Sequence, residues 1–203
     1  MYAKDDRPQT EKSPFEPVGT KAEVRASLAT MVLKAMEEDG LTAVIGRAPE
    51  FYGPAHTQSI TNTLIFNRIQ AGKKPLIPLS ATMQRTLIWT PDASRALALI
   101  GNTPSAYQQT WHLPVAGQIS YQELITLCQN VLDKPLSYYV IPLWQFKLGS
   151  LVNHNMKELL ELLPRYRYNN IFKSTKFNQA FPDFKVTSYQ EGVKQLLTPL
   201  THA

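Results

Sequence analysis

From Leu41 to Pro54 the chain reads LTAVIGRAPEFYGP, and no other stretch limits the fold as much. Leu41 to Ile45 is a short apolar run that suits a buried strand. Arg47-Ala-Pro49 and Phe51-Tyr-Gly-Pro54 then carry the backbone out of that strand into a loop shaped by proline and glycine. A buried strand handing over to such a loop is an α/β device, and loops at the carboxyl ends of α/β strands are where ligands bind.

The same grammar recurs along the chain. Residues 1–19 carry three prolines, several charges and no period, so they read as an irregular arm, with the ordered unit running over 20–203. Thr20-Lys-Ala-Glu23 has capping-box spacing and Gly40 is a natural stop. Between them Val24, Leu28, Met31, Val32 and Ala35 form one stripe of an amphipathic helix, which either seeks a partner or packs on the sheet. A second helix is expected over Ser59 to Ala71, ending at Gly72. Leu76 to Leu79, Thr86 to Trp89 and Thr110 to Leu113 read as strands. Thr90-Pro91-Asp92 offers an N-cap and an early proline for a helix to Ile100. Ser120-Tyr-Gln-Glu123 and Ser188-Tyr-Gln-Glu191 repeat the capping-box signature, and Met156 to Leu163 and Ser174 to Phe181 read as shorter helical pieces. Strands alternating with helices predict an α/β protein.

With 203 residues and 43% hydrophobic content, the chain can bury the core of one ordinary domain. No run approaches the roughly 18 apolar residues of a membrane span, and MYAKDDRPQTEKSP has charges where a signal peptide needs an apolar core, so a cytoplasmic protein is expected. A single cysteine, Cys128, excludes internal disulfides, and its neighbours Leu124, Leu127, Val131 and Leu132 place it on an apolar helix face. His56, His112, His154 and His202 have no ligand spacing, so no metal is expected. A net charge of +5 favours anionic partners, but charged residues make up only 18% of the chain and form no polybasic segment.

Several segments together resemble the extended short-chain dehydrogenase/reductases, the NAD-dependent epimerase/dehydratase group. Met1-Tyr2 resembles the end of that family's fifth strand. Thr10-Glu11 with Pro14 and Pro17 is similar to the approach to its catalytic helix, and Arg47 to Pro54 to the loop after its sixth strand. Arg85-Thr-Leu-Ile-Trp-Thr-Pro-Asp92 and Trp111-His-Leu-Pro114 resemble its later substrate-lobe segments. The resemblance implies a partial Rossmann-like fold with a carboxyl-terminal substrate lobe, NAD or NADP as cofactor, and a nucleotide sugar or similar hydroxyl or carbonyl compound as substrate. It places Arg47, Ala48 and Pro49 beside the cofactor, and Glu50, Tyr52, Arg85 and Trp89 toward the substrate. It also implies a homodimer through the helix spanning 20–39.

The departures are as informative. None of the nine glycines forms a dinucleotide-binding Gly-x-Gly-x-x-Gly turn, so the resemblance places the first strands, on the order of a hundred residues, upstream of Met1. No lysine follows a tyrosine at the Tyr-x-x-x-Lys spacing that the family uses for proton exchange. The helix that should carry the pair has Gly19 and Glu23, or Pro17 and Lys21, at those positions. No catalytic residue is therefore assigned.

Each candidate has a plainer reading. Arg47 to Pro49 could be a proline-shaped turn with the arginine on a carbonyl. Arg85 beside aromatics could hold a diphosphate, while Trp89 could be core and Asp92 a complement to its own helix start. Arg165-Tyr-Arg-Tyr-Asn-Asn-Ile-Phe-Lys173 interleaves cations with aromatics as a single-strand nucleic-acid groove does, but a solvated rim of the substrate lobe accounts for it better. Two functions follow: a truncated or divergent epimerase/dehydratase-like protein, or a non-catalytic module of the same fold that works through a partner. A fragment of a longer product is a further reading.

Overall fold

The computed structural model describes residues 2–54, 57–151 and 159–201. Of the sequence expectations, His56, His154, His202 and the Met156–Lys157–Glu158 start of a helix lie outside them.

Helix α1 spans Thr20–Glu38. Thr20 is its first helical residue and not its cap: Gly19 occupies the cap position with φ 94°, and no side chain caps the helix there. A non-glycine side chain is disfavoured at that φ, so Thr20 cannot take the role its spacing suggests. Gly40, at φ 69°, ends the segment as expected. The first strand, β1, is Val44–Arg47, shifted toward the loop from the apolar run that announced it. The segment after it is not all loop, because Glu50–Tyr52 forms β2.

The expected helix at Ser59 to Ala71 contains a π-helical turn at Asn62–Phe66 before its regular end, α2, at Asn67–Gln70. It stops at Gly72 in a Schellman arrangement, with the Lys73 N–H donating to the Arg68 carbonyl at 2.7 Å and the Gly72 N–H to Ile69 at 3.0 Å. Then come β3 (Leu76–Pro78), β4 (Leu87–Trp89), α3 (Thr90–Gly101) and β5 (Gln109–His112). Trp89, in extended conformation, takes the cap position of α3 that Thr90 was expected to fill. Helix α4 (Tyr121–Leu132) carries a complete capping box between Ser120 and Glu123. Strand β6 (Tyr139–Ile141), α5 (Leu143–Gly149), a 3-10 turn at Leu163–Arg167, α6 (Thr175–Ala180) and α7 (Tyr189–Thr201) follow. Ser188 and Glu191 form the second capping box: the Glu191 N–H donates to Ser188 Oγ at 3.2 Å, and Glu191 Oε2 accepts from the Ser188 N–H at 2.9 Å.

The strands form three parallel pairs, β1 with β5, β2 with β4 and β3 with β6. Parallel pairing requires crossovers, which the intervening helices supply, so the described residues form an α/β fold with short parallel sheets. All three residues of β4 are buried, and its alternation divides the core. Leu87 and Trp89 enter the larger cluster with Tyr52, Phe66, Leu124 and Val193. Ile88 points the other way, toward Ala96, Ile100, Trp111 and Phe177. Cys128 is fully buried, which pushes its thiol pKa up to about 12.

The amino-terminal segment packs more closely than its composition suggests. Residues 2–19 hold no helix, but the Gln9 N–H donates to the Ile171 carbonyl at 2.8 Å and the Lys173 N–H to the Gln9 carbonyl at 2.9 Å. Tyr2 and Gln9 are buried. Prolines prevent a regular element there, but they do not prevent an extended strip from docking on another.

Candidate functional site

Ala48 and Pro49 form the bend between β1 and β2, so one short turn joins the β1/β5 pair to the β2/β4 pair. Both are half-buried, and Ala48 packs against the smaller core. Two buried arginines flank the turn.

Arg47, the last residue of β1, is turned inward. Its Nη1 donates to the Tyr2 hydroxyl at 2.7 Å, and its guanidinium lies 4.7 Å from the Phe15 ring and 5.7 Å from the Tyr2 ring. The same Tyr2 hydroxyl is 2.7 Å from His112 Nε2. Because it accepts from Arg47, its proton is available to His112, which leaves Nδ1–H to donate to the Lys173 carbonyl at 2.8 Å. This bonding assigns a neutral imidazole. His112 also stacks on Phe172 at 3.6 Å between centroids. Burial disfavours the imidazolium and lowers its pKa to about 4, against a smaller opposing pull from Glu11. Glu11 accepts from the His112 backbone N–H at 2.9 Å. Among the described residues no carboxylate reaches salt-bridge distance of Arg47, and its Nε is buried without a partner.

Beyond the turn, Glu50 meets Arg85. Glu50 Oε2 accepts from Arg85 Nη2 at 2.8 Å and Nε at 3.3 Å, while Oε1 accepts from the Thr61 hydroxyl at 2.6 Å and the Tyr121 hydroxyl at 2.9 Å. The Tyr166 ring covers Arg85 at 4.0 Å and the Tyr121 ring lies at 5.4 Å. Burial pushes the Glu50 carboxyl pKa up, but the Arg85 charge and the bonds from Thr61, Arg85 and Tyr121 outweigh it and hold the group below the usual carboxylate range. The Arg85 side chain is 2% exposed and that of Glu50 13%. Arg85 Nη1 is buried without a partner.

Tyr52 and Trp89, the other residues expected near substrate, sit in the larger core with ring centroids 5.1 Å apart. Tyr52 also packs on Phe66 and Tyr189, and its hydroxyl is buried with no partner. Asp92 does more than complement its helix. Fully buried, it accepts from Arg95, from the Thr187 N–H at 2.7 Å and from the Thr187 hydroxyl at 3.0 Å, tying α3 to the approach to α7. The Arg165 to Lys173 stretch is not a solvated rim: Tyr166, Asn170 and Phe172 are buried, and Arg167, Tyr168 and Lys173 are exposed.

Sequence reasoning thus named Glu50 and Arg85 but missed Thr61, Tyr121 and Tyr166, which complete their surroundings. Tyr121 had been read only as the residue after a cap, and Tyr166 only as one ring in a basic run. Nothing in the sequence names a partner for the His112 ring. Among the described residues no group of three or more His, Cys, Asp or Glu side chains could hold a metal ion.

The residues present fit a dinucleotide in part. Ala48 and Pro49 stand, half-buried, at the carboxyl end of a parallel strand. A pyrophosphate needs glycine backbone beside an open helix N-terminus, and the described glycines do not provide it. A Cβ on Gly46 would meet Leu97 and Leu113, one on Gly53 would meet Thr90, and one on Gly192 would meet Tyr52. Gly19 does stand at the start of α1, but the Glu161 carboxylate lies against it.

Comparison with solved structures places this architecture. The UDP-glucuronic acid 4-epimerase of Bacillus cereus, in complex with UDP-glucuronic acid and NAD, superposes with a TM-score of 0.72 at 13% identity, over 98% of this chain and 59% of that one. The dTDP-glucose 4,6-dehydratase of Bacillus anthracis, in complex with NAD, gives 0.70 at 14% identity, over 97% and 57%. The dTDP-glucose 4,6-dehydratase of Streptomyces venezuelae gives 0.68 at 17% identity, over 96% and 54%. The chain therefore spans between 54% and 59% of the length of these three. None of the curated proteins matches it. The profile of the NAD dependent epimerase/dehydratase family matches residues 1–114, from the amino-terminal strip through β1, the Arg47–Pro54 segment, Arg85 and β5. With more than half of its length matched, this chain belongs to the NAD dependent epimerase/dehydratase family.

Proposed function

We propose that this chain is the carboxyl-terminal part of an NAD(P)-dependent epimerase or dehydratase-like protein. Its substrate is a nucleotide sugar or a similar hydroxyl- or carbonyl-bearing compound. The observation that carries the reading is the single turn at Ala48 and Pro49, which joins two parallel strand pairs and has Arg47 on one side and Glu50 on the other. In this reading Arg47, Ala48 and Pro49 back the nicotinamide end of a cofactor, NAD or NADP. Glu50, Tyr52, Arg85 and Trp89 build the wall beneath the substrate. Because Tyr52 and Trp89 are core residues, they act by fixing β2 and β4 under that wall.

The described residues supply no pyrophosphate cradle, so in this reading an upstream segment with a glycine-rich turn completes the cofactor site. The usual proton exchange has no residues here either: Gly19 and Glu23, or Pro17 and Lys21, stand where the tyrosine and lysine would be. The reading is supported by the family and by neighbours whose structures hold NAD and nucleotide sugars. A fluorescence titration with NADH and NADPH tests it. The 203-residue chain should give no saturable change, and a longer product of the same gene should bind tightly. Failure of that longer product to bind either dinucleotide would defeat the proposal.

A second reading, a non-catalytic module that works through a partner, is favoured by α1. Its Val24, Leu28 and Met31 face is 52% to 61% exposed, an apolar stripe suited to a homodimer contact.

A further inference from the structure

An arginine between aromatic rings suits a phosphate or carboxylate on a ligand, because its planar fork pairs two oxygens at once. In this chain the Nε and Nη2 side of that fork is already taken, and Nη1 is buried. The Thr61 hydroxyl, the Tyr121 hydroxyl, and Arg85 Nε and Nη2 all converge on the Glu50 carboxylate. Together they occupy the roughly four acceptor positions a carboxylate offers. Tyr166 and Tyr121 cover Arg85, so at 2% exposure it is out of reach, and the 13% exposed Glu50 is the group an incoming ligand meets first.

We propose that Glu50 is a built-in counter-ion that closes the anion subsite at Arg85, so that the substrate group docking at this wall is uncharged. This rests on the substrate wall assigned above and narrows the substrate class: a sugar or other hydroxyl or carbonyl compound whose phosphate, where it has one, is held away from Arg85. The discrimination works by repulsion and occupancy. A second anion would have to lie against a fixed carboxylate, which costs more than any contact the enclosed guanidinium can return.

The test compares the chain with its Glu50→Gln and Glu50→Ala variants, using inorganic phosphate, acetate, UDP and uridine as probes, with calorimetric titration and thermal unfolding as readouts. The unaltered chain should bind UDP no more tightly than uridine, and exchanging chloride for phosphate at equal ionic strength should not shift its melting temperature. Both variants leave Arg85 without its counter-ion, but only Glu50→Ala also vacates the space beside its Nε and Nη2, so phosphate and acetate should raise the melting temperature of that variant and not of Glu50→Gln, and UDP should bind Glu50→Ala on the order of tenfold more tightly than uridine. Adding Arg85→Lys should abolish that gain. If Glu50→Ala refolds poorly, its refolding yield in phosphate against chloride replaces the melt, and a higher yield in phosphate supports the assignment. An unaltered chain that prefers UDP by tenfold or more, or a Glu50→Ala variant with no anion-dependent gain in melt or yield, would overturn it. No dinucleotide enters the experiment, so a negative NADH titration leaves this result standing on its own.

Discussion

The side chains that matter most in this protein are polar groups kept out of water, and each is judged by whether its partners are present. Glu50 is fully bonded, whereas the Tyr52 hydroxyl is buried with none. Burial raises the Tyr52 phenol pKa above its usual range, so the hydroxyl is a desolvated donor without an acceptor. Leaving such a group unpaired costs about 1–3 kcal/mol. Tyr52→Phe is therefore expected to leave stability unchanged or raise it by up to about 1 kcal/mol, measured as the denaturation midpoint in urea. A loss of more than about 1 kcal/mol would show that the hydroxyl has a partner after all. The family resemblance singles out Glu50 in the sequence, and Arg85 stands out also as an arginine near an aromatic, which suits a diphosphate. That each would satisfy the other across 35 positions was not legible there, since no local pattern records a contact at such separation.

At the scale of elements, local signals performed best where the physics is local. The capping boxes at Ser120 and Ser188 and the stop at Gly72 formed as read, because each needs only a few adjacent residues. The stripe on α1 has two sequence readings, a face packed on the sheet or a face left for a partner, and Val24, Leu28 and Met31 do not follow the first. The helix instead buries Ala26 and Met36, leaving Val24, Leu28 and Met31 exposed. Periodicity identifies which residues share a face; it does not say what covers that face. If the exposed face forms the proposed homodimer, Leu28→Glu should reduce the dimer fraction by about tenfold in sedimentation velocity while shifting the melt of the monomer little, since exposed substitutions stay within about 0.5 kcal/mol. A chain that is monomeric at all concentrations would remove the dimer proposal.

At the scale of the whole molecule, distant segments are joined through His112. Its ring and backbone link Tyr2 and Glu11 of the amino-terminal strip to β5 and to Lys173. Burial keeps it neutral when folded, with a pKa of about 4 against 6.5 unperturbed. Between those values the unfolded chain takes up a proton that the folded chain refuses, so stability is full above about pH 6.5 and falls as pH drops toward about 4. The loss should be on the order of 1–3 kcal/mol in pH-dependent urea unfolding, and His112→Gln should flatten the profile over that window. An unchanged slope in the variant would place the titration elsewhere. The same scale explains why the core has two parts: β4 is buried on both faces, so Leu87 and Trp89 serve one cluster and Ile88 the other.

By itself the sequence determined the α/β alternation, most element positions, the burial of Cys128 and the membership of a family. Each of these is written in short-range periodicity or in motifs whose order along the chain is enough to recognise. Only the tertiary structure decided that Arg47 turns inward to Tyr2, that Arg85 is closed by Glu50, Thr61, Tyr121 and Tyr166, and that α1 presents its apolar stripe outward. The physical reason is that a buried charge takes whichever partners the packed chain brings to it, and packing brings together residues whose separation in sequence carries no signal.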